Sequence, residues 1–166
     1  MAKTELEQTV QQSLIDRLID DEPSSSVEPA MNRAQSVREL KASLRRDLEW
    51  LLNTRRMHMP LPDGLEEVER SLIRYGLPDI TSMSKDNAAE HVRLLRGVEE
   101  TIARFEPRLA NVRISLVPGP EGKRRELHFL IDAMLRMDPS PEHIVFDTAL
   151  ELGTGDVQVK GEGSAG

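Results

Sequence analysis

Apolar residues recur every three or four positions through the first two thirds of the chain, which is the spacing of amphipathic helices. The first such stretch covers residues 5–20, and a segment rich in proline, serine and acidic residues follows it without any period. We therefore expect an N-terminal amphipathic helix (residues 1–20), a flexible linker (21–35), a main domain (36–160) and a disordered tail (161–166). A short helix is marginal unless its apolar stripe is covered, by its own domain or by a partner. The candidate docking residues are Leu14, Ile15 and Leu18.

Three further helices are predicted in the main domain. The second helix begins at a Ser36–Glu39 capping box, and the short third helix begins at Asp63 and Glu66 and stops at Gly76. The fourth begins near residues 84–86 and ends before Pro107, whose ring cannot continue a helix. The apolar stripes are Val37, Leu40, Leu44, Leu48 and Leu51, with Trp50 and Leu52 alongside; Leu65, Val68 and Leu72; and Val92, Leu95, Val98, Ile102 and Phe105.

Beyond Pro107 the apolar period changes from helical spacing to two, the spacing of strands. Three alternating runs and one short segment predict a small antiparallel sheet of three or four strands. Because helices come first and strands afterwards, the predicted fold class is α+β. The last strand should be a sheet edge that can accept another strand. The inward-facing sets are Val112, Ile114 and Leu116; Leu127, Phe129, Ile131, Ala133 and Leu135; Ile144, Phe146, Thr148, Leu150 and Leu152; and Val157 with Val159.

Composition narrows the possible functions. A chain of 166 residues suits one domain with a real core, and the absence of cysteine fits a reducing compartment. A net charge of −7 argues against general nucleic-acid binding, which normally needs a basic excess. The chain has neither a secretory apolar segment near its start nor a run long enough to span a membrane. We expect a cytoplasmic protein that is not inserted in a membrane.

Motifs for catalysis or cofactor binding are weak. The four histidines do not fall in a metal-binding helical spacing, and neither a phosphate-binding loop nor a nucleophile elbow occurs. No metal or cofactor is therefore expected. Glycoside hydrolysis would need two facing carboxylates, for which Glu106 with Asp132 or Asp147 is the weak candidate pair.

The joint between the last helix and the first strand carries two opposite charges, Glu106 and Arg108, on either side of Pro107. One interpretation is local: the proline stops the helix, and the solvated pair contributes only ~0–1 kcal/mol. The other is that the proline fixes both side chains as an ion pair that a partner protein covers. Removing one member of a covered pair costs ~3–5 kcal/mol, enough to decide whether an assembly forms.

An ordered set of motifs marks a family resemblance. The motifs "SLIDRL", "DLEWLLNTRR", "SLIRYGLPDI", "FEPRL", "VRISL", "LHFLIDAML" and "FDTALEL" occur in this order between residues 13 and 160. Together they resemble the TssE group of bacterial type VI secretion baseplate subunits. That group is similar to the wedge proteins of contractile phage tails and is classed with them as gene-25-like lysozymes. The Glu-Pro-Arg triplet is the hallmark of the family.

The resemblance implies a structural role without catalysis. Such proteins join TssF, TssG and TssK in a wedge around the hub and inner tube, in the bacterial cytoplasm where the baseplate docks on the inner-membrane complex. Glu106, Pro107 and Arg108 would hold the baseplate partners. The last two strands, with Phe146, Leu150, Val157 and Val159, would template the first ring of the TssB/TssC sheath. A peptidoglycan hydrolase and a soluble adaptor of the same fold are the alternatives.

Overall fold

Helices precede strands in the observed fold, as the sequence predicts. The computed structural model describes residues 13–18, 32–57, 59–60, 62, 64–80, 87–120 and 125–162. Four α-helices are followed by four strands in these ranges, which confirms the α+β class. The elements are α1 (Leu14–Leu18), α2 (Arg33–Asn53), α3 (Glu66–Arg70), a 3-10 turn (Leu72–Arg74), α4 (Ala88–Phe105), β1 (Leu109–Val117), β2 (Glu126–Leu135), β3 (Glu142–Glu151) and β4 (Val157–Glu162).

The four strands form one antiparallel sheet in the order β1-β2-β3-β4. Chain neighbours are therefore also sheet neighbours, and β1 and β4 lie at the two edges. The predicted inward sets of β2, β3 and β4 are confirmed, since their side chains are buried. On β1 the set is only partly right, because Leu116 is exposed and a bulge interrupts the pairing between Ala110 and Arg113.

Helices α2 and α4 cover one face of the sheet. Helix α2 lies over β4, and α4 lies over β1. Burial of each large apolar side chain between the layers contributes ~1.5–3 kcal/mol relative to its exposure. The centre of this core consists of Leu44, Leu48, Leu52, Val98, Ile102, Phe129, Ile131, Phe146 and Leu150.

The predicted start of the second helix was wrong by one turn. Helix α2 begins at Arg33, because Asn32 accepts a hydrogen bond from the Gln35 N–H at 2.9 Å and Gln35 Oε1 accepts from the Asn32 N–H at 3.1 Å. Ser36 is instead buried inside the helix and donates to the Arg33 carbonyl. The predicted linker therefore ends before residue 32, and residues 19–31 lie outside the described residues. So do residues 1–12 of the predicted first helix.

The third helix forms, but its predicted stripe is not a core stripe. No side chain caps α3 among the described residues, and Asp63, the predicted capping residue, lies outside them. None of the residues of α3 is buried. Leu65 and Leu72 are exposed, and so is Trp50 on α2. The predicted stop at Gly76 was too late, since α3 already ends at Arg70; Gly76 instead follows the 3-10 turn, with a φ of +89°.

The fourth helix begins slightly later than predicted. Asn87 accepts hydrogen bonds from the N–H groups of Ala89 and Glu90, so α4 starts at Ala88. Val92 is exposed, and Leu94 takes the buried position in the first turns. The helix ends at Phe105, as Pro107 dictates.

Candidate functional site

The Glu-Pro-Arg triplet forms a tight corner between α4 and β1. The Glu106 N–H makes the last helical hydrogen bond, to the Ile102 carbonyl at 2.8 Å. Pro107 has no N–H to continue the ladder, and the Leu109 N–H closes a turn on the Glu106 carbonyl at 3.1 Å. Within three residues the backbone has changed from helix to strand. We call Glu106, Pro107 and Arg108, together with the side chains that they bind, the charged corner.

Glu106 and Arg108 bind each other through two parallel hydrogen bonds. Arg108 Nε donates to Glu106 Oε1 and Arg108 Nη2 donates to Glu106 Oε2, each at 2.6 Å. The Glu106 side chain is only 8% exposed, and that of Arg108 is 25% exposed. A bidentate carboxylate–guanidinium pair is among the strongest hydrogen-bonded pairs in proteins. The pair is thus already formed and mostly desolvated in the isolated chain.

Asp47 of α2 is a third member of the charged corner. Its Oδ2 accepts from Arg108 Nη2 at 2.6 Å, so the guanidinium bridges two carboxylates from elements far apart in sequence. Its Oδ1 accepts from Arg46 Nη2 at 3.3 Å, and the same Arg46 atom donates to Asp16 of α1 at 2.5 Å. Alternating charges therefore connect α1, α2 and the helix–strand joint.

Three side chains in or near the charged corner have shifted pKa values: Arg108, Asp16 and Tyr75. The hydrogen bonds to Glu106 hold the pKa of Arg108 above its usual value; burial opposes this, and Asp47 adds to it. Burial pushes the pKa of Asp16 up, but the hydrogen bonds from Arg46 and Ser13 outweigh it and leave the pKa below its usual value. Tyr75 has a raised pKa, mainly because it is partly buried and further because the charges of Asp47 and Glu106 are near.

One donor of the charged corner has no partner. Arg108 Nη1 is buried and makes no hydrogen bond with any described residue. A buried donor without an acceptor costs ~1–3 kcal/mol. An acceptor supplied from outside would recover that free energy, provided the atoms that cover Nη1 move aside. Arg108 Nη1 is therefore a donor that the described residues leave unused.

The structure changes both interpretations of the triplet. The local one was wrong about solvation, because Arg108 is three-quarters covered and bound to two carboxylates. In the other, a partner had to cover the pair, whereas Glu106 is covered by its own chain. What stays a prediction is contact between a partner and Arg108.

The weak hydrolase pair is not brought together. Both oxygens of Glu106 are occupied by Arg108, whereas Asp132 pairs with His143 on the sheet face away from the helices. Asp147 lies on that same face, beside Lys160 and His128 in a cleft of about 470 Å³. Among the described residues, no three potential ligand side chains are grouped as a metal would require, and no helix is long and apolar enough to cross a membrane.

The candidate docking residues lie on α1. Leu14, Ile15 and Leu18 are 75%, 66% and 83% exposed. Ser13 caps this short helix by accepting from the Asp16 N–H, and the Asp16–Arg46 contact attaches it to α2. The Arg46 guanidinium also lies over the Trp50 ring, 5.4 Å from its centroid. The stripe thus points outward, next to an exposed tryptophan that the sequence assigned to the core.

The candidate sheath-template residues are buried, whereas the docking residues of α1 are exposed. Phe146, Leu150, Val157 and Val159 are all buried, so any strand addition at β4 would use backbone groups. Asn53 already binds two of these groups: its side chain donates to the Val157 carbonyl and accepts from the Val157 N–H, each at 2.8 Å. Arg45 reaches the Val159 carbonyl at 3.5 Å. Helix α2 therefore partly covers the sheet edge.

Sequence reasoning did not find Asp47, Tyr75 or Asn53. Asp47 lies within the quoted "DLEWLLNTRR" motif, and Tyr75 is the only tyrosine of the chain. Asn53 lies in that same motif, and Tyr75 lies in "SLIRYGLPDI". No local rule pairs Asp47 with Arg108, 61 positions later.

Comparison with known proteins shows the family of the chain. Residues 38–140 match the family described as baseplate wedge protein gp25, and the chain belongs to that family. The match runs from the second turn of α2 to the turn after β2 and includes Glu106, Pro107 and Arg108. The predicted gene-25-like membership is thus confirmed.

One solved structure is similar to the chain. It is described as "The baseplate complex from the type VI secretion system". Its sequence identity is 18%, its TM-score is 0.45, and the alignment covers 69% of this chain and 96% of that one. No curated protein matches the chain in sequence.

Proposed function

We propose that this protein is a structural, non-enzymatic subunit of a type VI secretion baseplate. It assembles with TssF, TssG and TssK into the wedge, and the wedge helps to start polymerisation of the TssB/TssC sheath around the inner tube. Membership of the baseplate wedge family supports this, together with the ordered motifs that resemble the TssE group. In this proposal the protein works in the bacterial cytoplasm, beneath the inner-membrane complex.

The observation that carries the proposal is the prearranged charged corner. Asp47 and Glu106 fix the Arg108 guanidinium, so a partner that reaches it does not bear the entropy cost of ordering a long side chain. The unpaired Nη1 donor gives that partner a hydrogen bond that the free chain does not make. Glu106 acts through Arg108, and Pro107 fixes the distance between them.

Two further contacts belong to this proposal. The exposed stripe of Leu14, Ile15 and Leu18 docks α1 on a baseplate subunit, which covers apolar surface that the described residues leave open. The β4 edge provides backbone groups for the first sheath ring, beyond the positions that Asn53 already occupies. Deleting residues 160–166 keeps buried Val157 and Val159 in place; normal sheath nucleation by that variant would remove the second idea.

The hydrolase alternative has no geometric support. A general acid must deliver a proton to the substrate, whereas both Glu106 oxygens accept hydrogen bonds from a permanent cation. We therefore expect the purified protein to leave cell-wall glycan intact.

Co-purification with TssF and TssG from the same bacterium tests the proposal. We expect a complex with the intact chain, and a weaker one when Leu18→Asp removes part of the apolar α1 stripe. If no complex forms while the chain is folded, the protein is not a wedge subunit and the adaptor alternative gains support.

A further inference from the structure

An apolar groove lies at the end of α2, next to the charged corner. It is lined by Thr54, Arg55, Met57, Leu72, Ile73 and Tyr75 and has a volume of about 400 Å³. Two of its large apolar side chains are mostly exposed: Leu72 is 77% exposed and Met57 is 66% exposed. Exposed apolar residues that are grouped around a groove, and not scattered singly, mark interaction sites.

Backbone hydrogen bonds hold the chain after α2 against Leu77, beside the groove. The Arg56 N–H donates to the Leu77 carbonyl at 2.7 Å, and the Leu77 N–H donates to the Thr54 carbonyl at 2.9 Å. Gly76 permits this close approach, since a side chain there would collide with Thr54. The Arg56 guanidinium binds the Gly76 carbonyl and the Thr101 hydroxyl. A partner would thus meet a formed groove.

Tyr75 makes the groove continuous with the charged corner. Its ring packs edge-on against Phe105, with centroids 5.2 Å apart, directly before Glu106 in the chain. The charges of Asp47 and Glu106 both raise the pKa of Tyr75, which places its phenol within their electrostatic reach. A segment bound at Arg108 can therefore extend into the groove without leaving the protein surface.

The border of the groove is rich in arginine. Arg55 lines the groove, and Arg56, Arg74 and Arg104 lie near it. Burial is the main cause of the lowered pKa of Arg56, and the charges of Arg74 and Arg104 lower it further. Arg74 donates to the Glu69 carboxylate, whereas Arg104 donates to the backbone carbonyl of Glu69. Glu100 is a second nearby acid. Among the described contacts, Arg74 alone of these four pairs with a carboxylate, whereas Arg55, Arg56 and Arg104 donate to backbone carbonyls or a hydroxyl. The border therefore keeps positive charge that attracts acidic side chains.

We infer that the groove binds a segment of a neighbouring baseplate subunit in which a large apolar side chain is flanked by carboxylates. The apolar side chain covers Leu72 and Met57, and the carboxylates meet the arginine border. This inference rests on the proposed function, because the same subunit contacts Arg108. It adds a second contact area with its own chemistry.

The test measures affinity for the purified TssF–TssG complex. Leu72→Asp places a charge in the groove at an already exposed position, so the fold should survive. We expect affinity to fall about tenfold or more, the value of one buried leucine side chain. Leu116→Asp is the matched control, because Leu116 is an exposed leucine on β1 outside the groove; it should bind like the wild type.

The charge component is tested with Arg74→Gln. We expect weaker binding and a shallower dependence of affinity on salt concentration than in the wild type. A photo-crosslinking residue at position 72 should label an acidic, apolar segment of TssF or TssG. Labelling of a second copy of this chain, or of no subunit, would overturn the inference.

Failure of the inference differs from failure of the proposed function. If the wild type does not bind TssF–TssG, the proposed function fails. If the wild type binds, Arg108→Lys weakens binding and Leu72→Asp does not, then only the groove is wrong. Reduced affinity of Leu72→Asp with normal Leu116→Asp supports the groove.

Discussion

Arg108 Nη2 donates a 2.6 Å hydrogen bond to Asp47 Oδ2. Arg108 lies in the turn before β1, and Asp47 lies in α2, 61 positions earlier in the chain. This bond, together with the pair that Arg108 makes with Glu106, converts a helix stop into a connection between the two layers of the fold. The same three side chains would serve stability in the free protein and recognition in the assembly. Variants must therefore be separated by their effects on folding and on binding.

Removing the guanidinium should destabilise the fold more than removing Asp47. Arg108→Ala leaves Glu106 buried without a cation, and we expect a loss of about 3 kcal/mol or more in the free energy of unfolding. Asp47→Ala should cost about 1–2 kcal/mol, since Glu106 still holds Arg108. Urea unfolding followed by circular dichroism gives both values.

The control for this series is Arg70→Ala. Arg70 pairs with Glu67 on the exposed side of α3, so its loss should change the free energy of unfolding by less than about 0.5 kcal/mol. If Arg108→Ala behaves like Arg70→Ala, the charged corner is not a structural connection.

Tyr75 reports on the charged corner directly because it is the only tyrosine. Its pKa should lie above the ordinary value of 10.0, and Asp47→Asn should lower it by removing one of the two nearby negative charges. The folded state disfavours the phenolate, so the free energy of unfolding should decrease as pH rises above 10.0. Phenolate absorbance during an alkaline titration measures the midpoint.

Glu67→Gln is the matched control for the tyrosine titration. It removes one negative charge from the exposed pair on α3. The Tyr75 midpoint should then stay where it is in the wild type. Equal shifts in Asp47→Asn and Glu67→Gln would contradict the proximity of Tyr75 to the charged corner.

Two glycines should respond to alanine with opposite signs. Gly76 has a φ of +89°, and a Cβ there would lie 2.2 Å from the Thr54 carbonyl oxygen. The left-handed conformation alone costs a non-glycine residue ~1–2 kcal/mol, so Gly76→Ala should lower the free energy of unfolding by more than that. Gly97 lies inside α4 with open space around it, so Gly97→Ala should add ~0.5–1 kcal/mol. Thermal unfolding of both variants measures the two changes in stability. A stabilising Gly76→Ala would contradict the close approach of residue 76 to Thr54 at the end of α2.

Asn53 should control exposure of the β4 edge. Asn53→Ala leaves the N–H and the carbonyl of Val157 without their side-chain partner, which we expect to cost about 1–3 kcal/mol. Hydrogen exchange at the Val157 amide should accelerate. Asn53→Asp keeps an acceptor for that amide and should preserve more protection; equal protection in all three proteins would contradict this role of Asn53.

The sequence predicted features that local chemistry determines. Pro107 ends α4 at Phe105, and alternation over Leu127 to Leu135 identifies the buried face of β2. Asn32 with Gln35 and Ser36 with Glu39 both satisfy the capping rule, one turn apart. Tertiary packing decides between them, because Ser36 is buried in the helix. Local patterns cannot supply that information.

The candidate site was predictable only in part. Glu106 and Arg108 stand out because they flank a proline, and their mutual bond needs a separation of two residues only. The contact with Asp47 depends on how α2 crosses the joint, which no periodicity reveals. Leu72 was assigned to a core stripe by its spacing, yet spacing does not distinguish a face that packs on its own chain from one left open.

The most direct test of the central claim is the affinity of Arg108→Lys for the TssF–TssG complex. Lysine keeps the positive charge beside Glu106 and Asp47, but it loses the fork geometry and the free Nη1 donor. With a folded variant confirmed by circular dichroism, we expect binding about tenfold weaker than that of the wild type. Wild-type affinity in the folded variant would show that Arg108 serves only the fold, and would contradict the claim that the charged corner holds a baseplate partner.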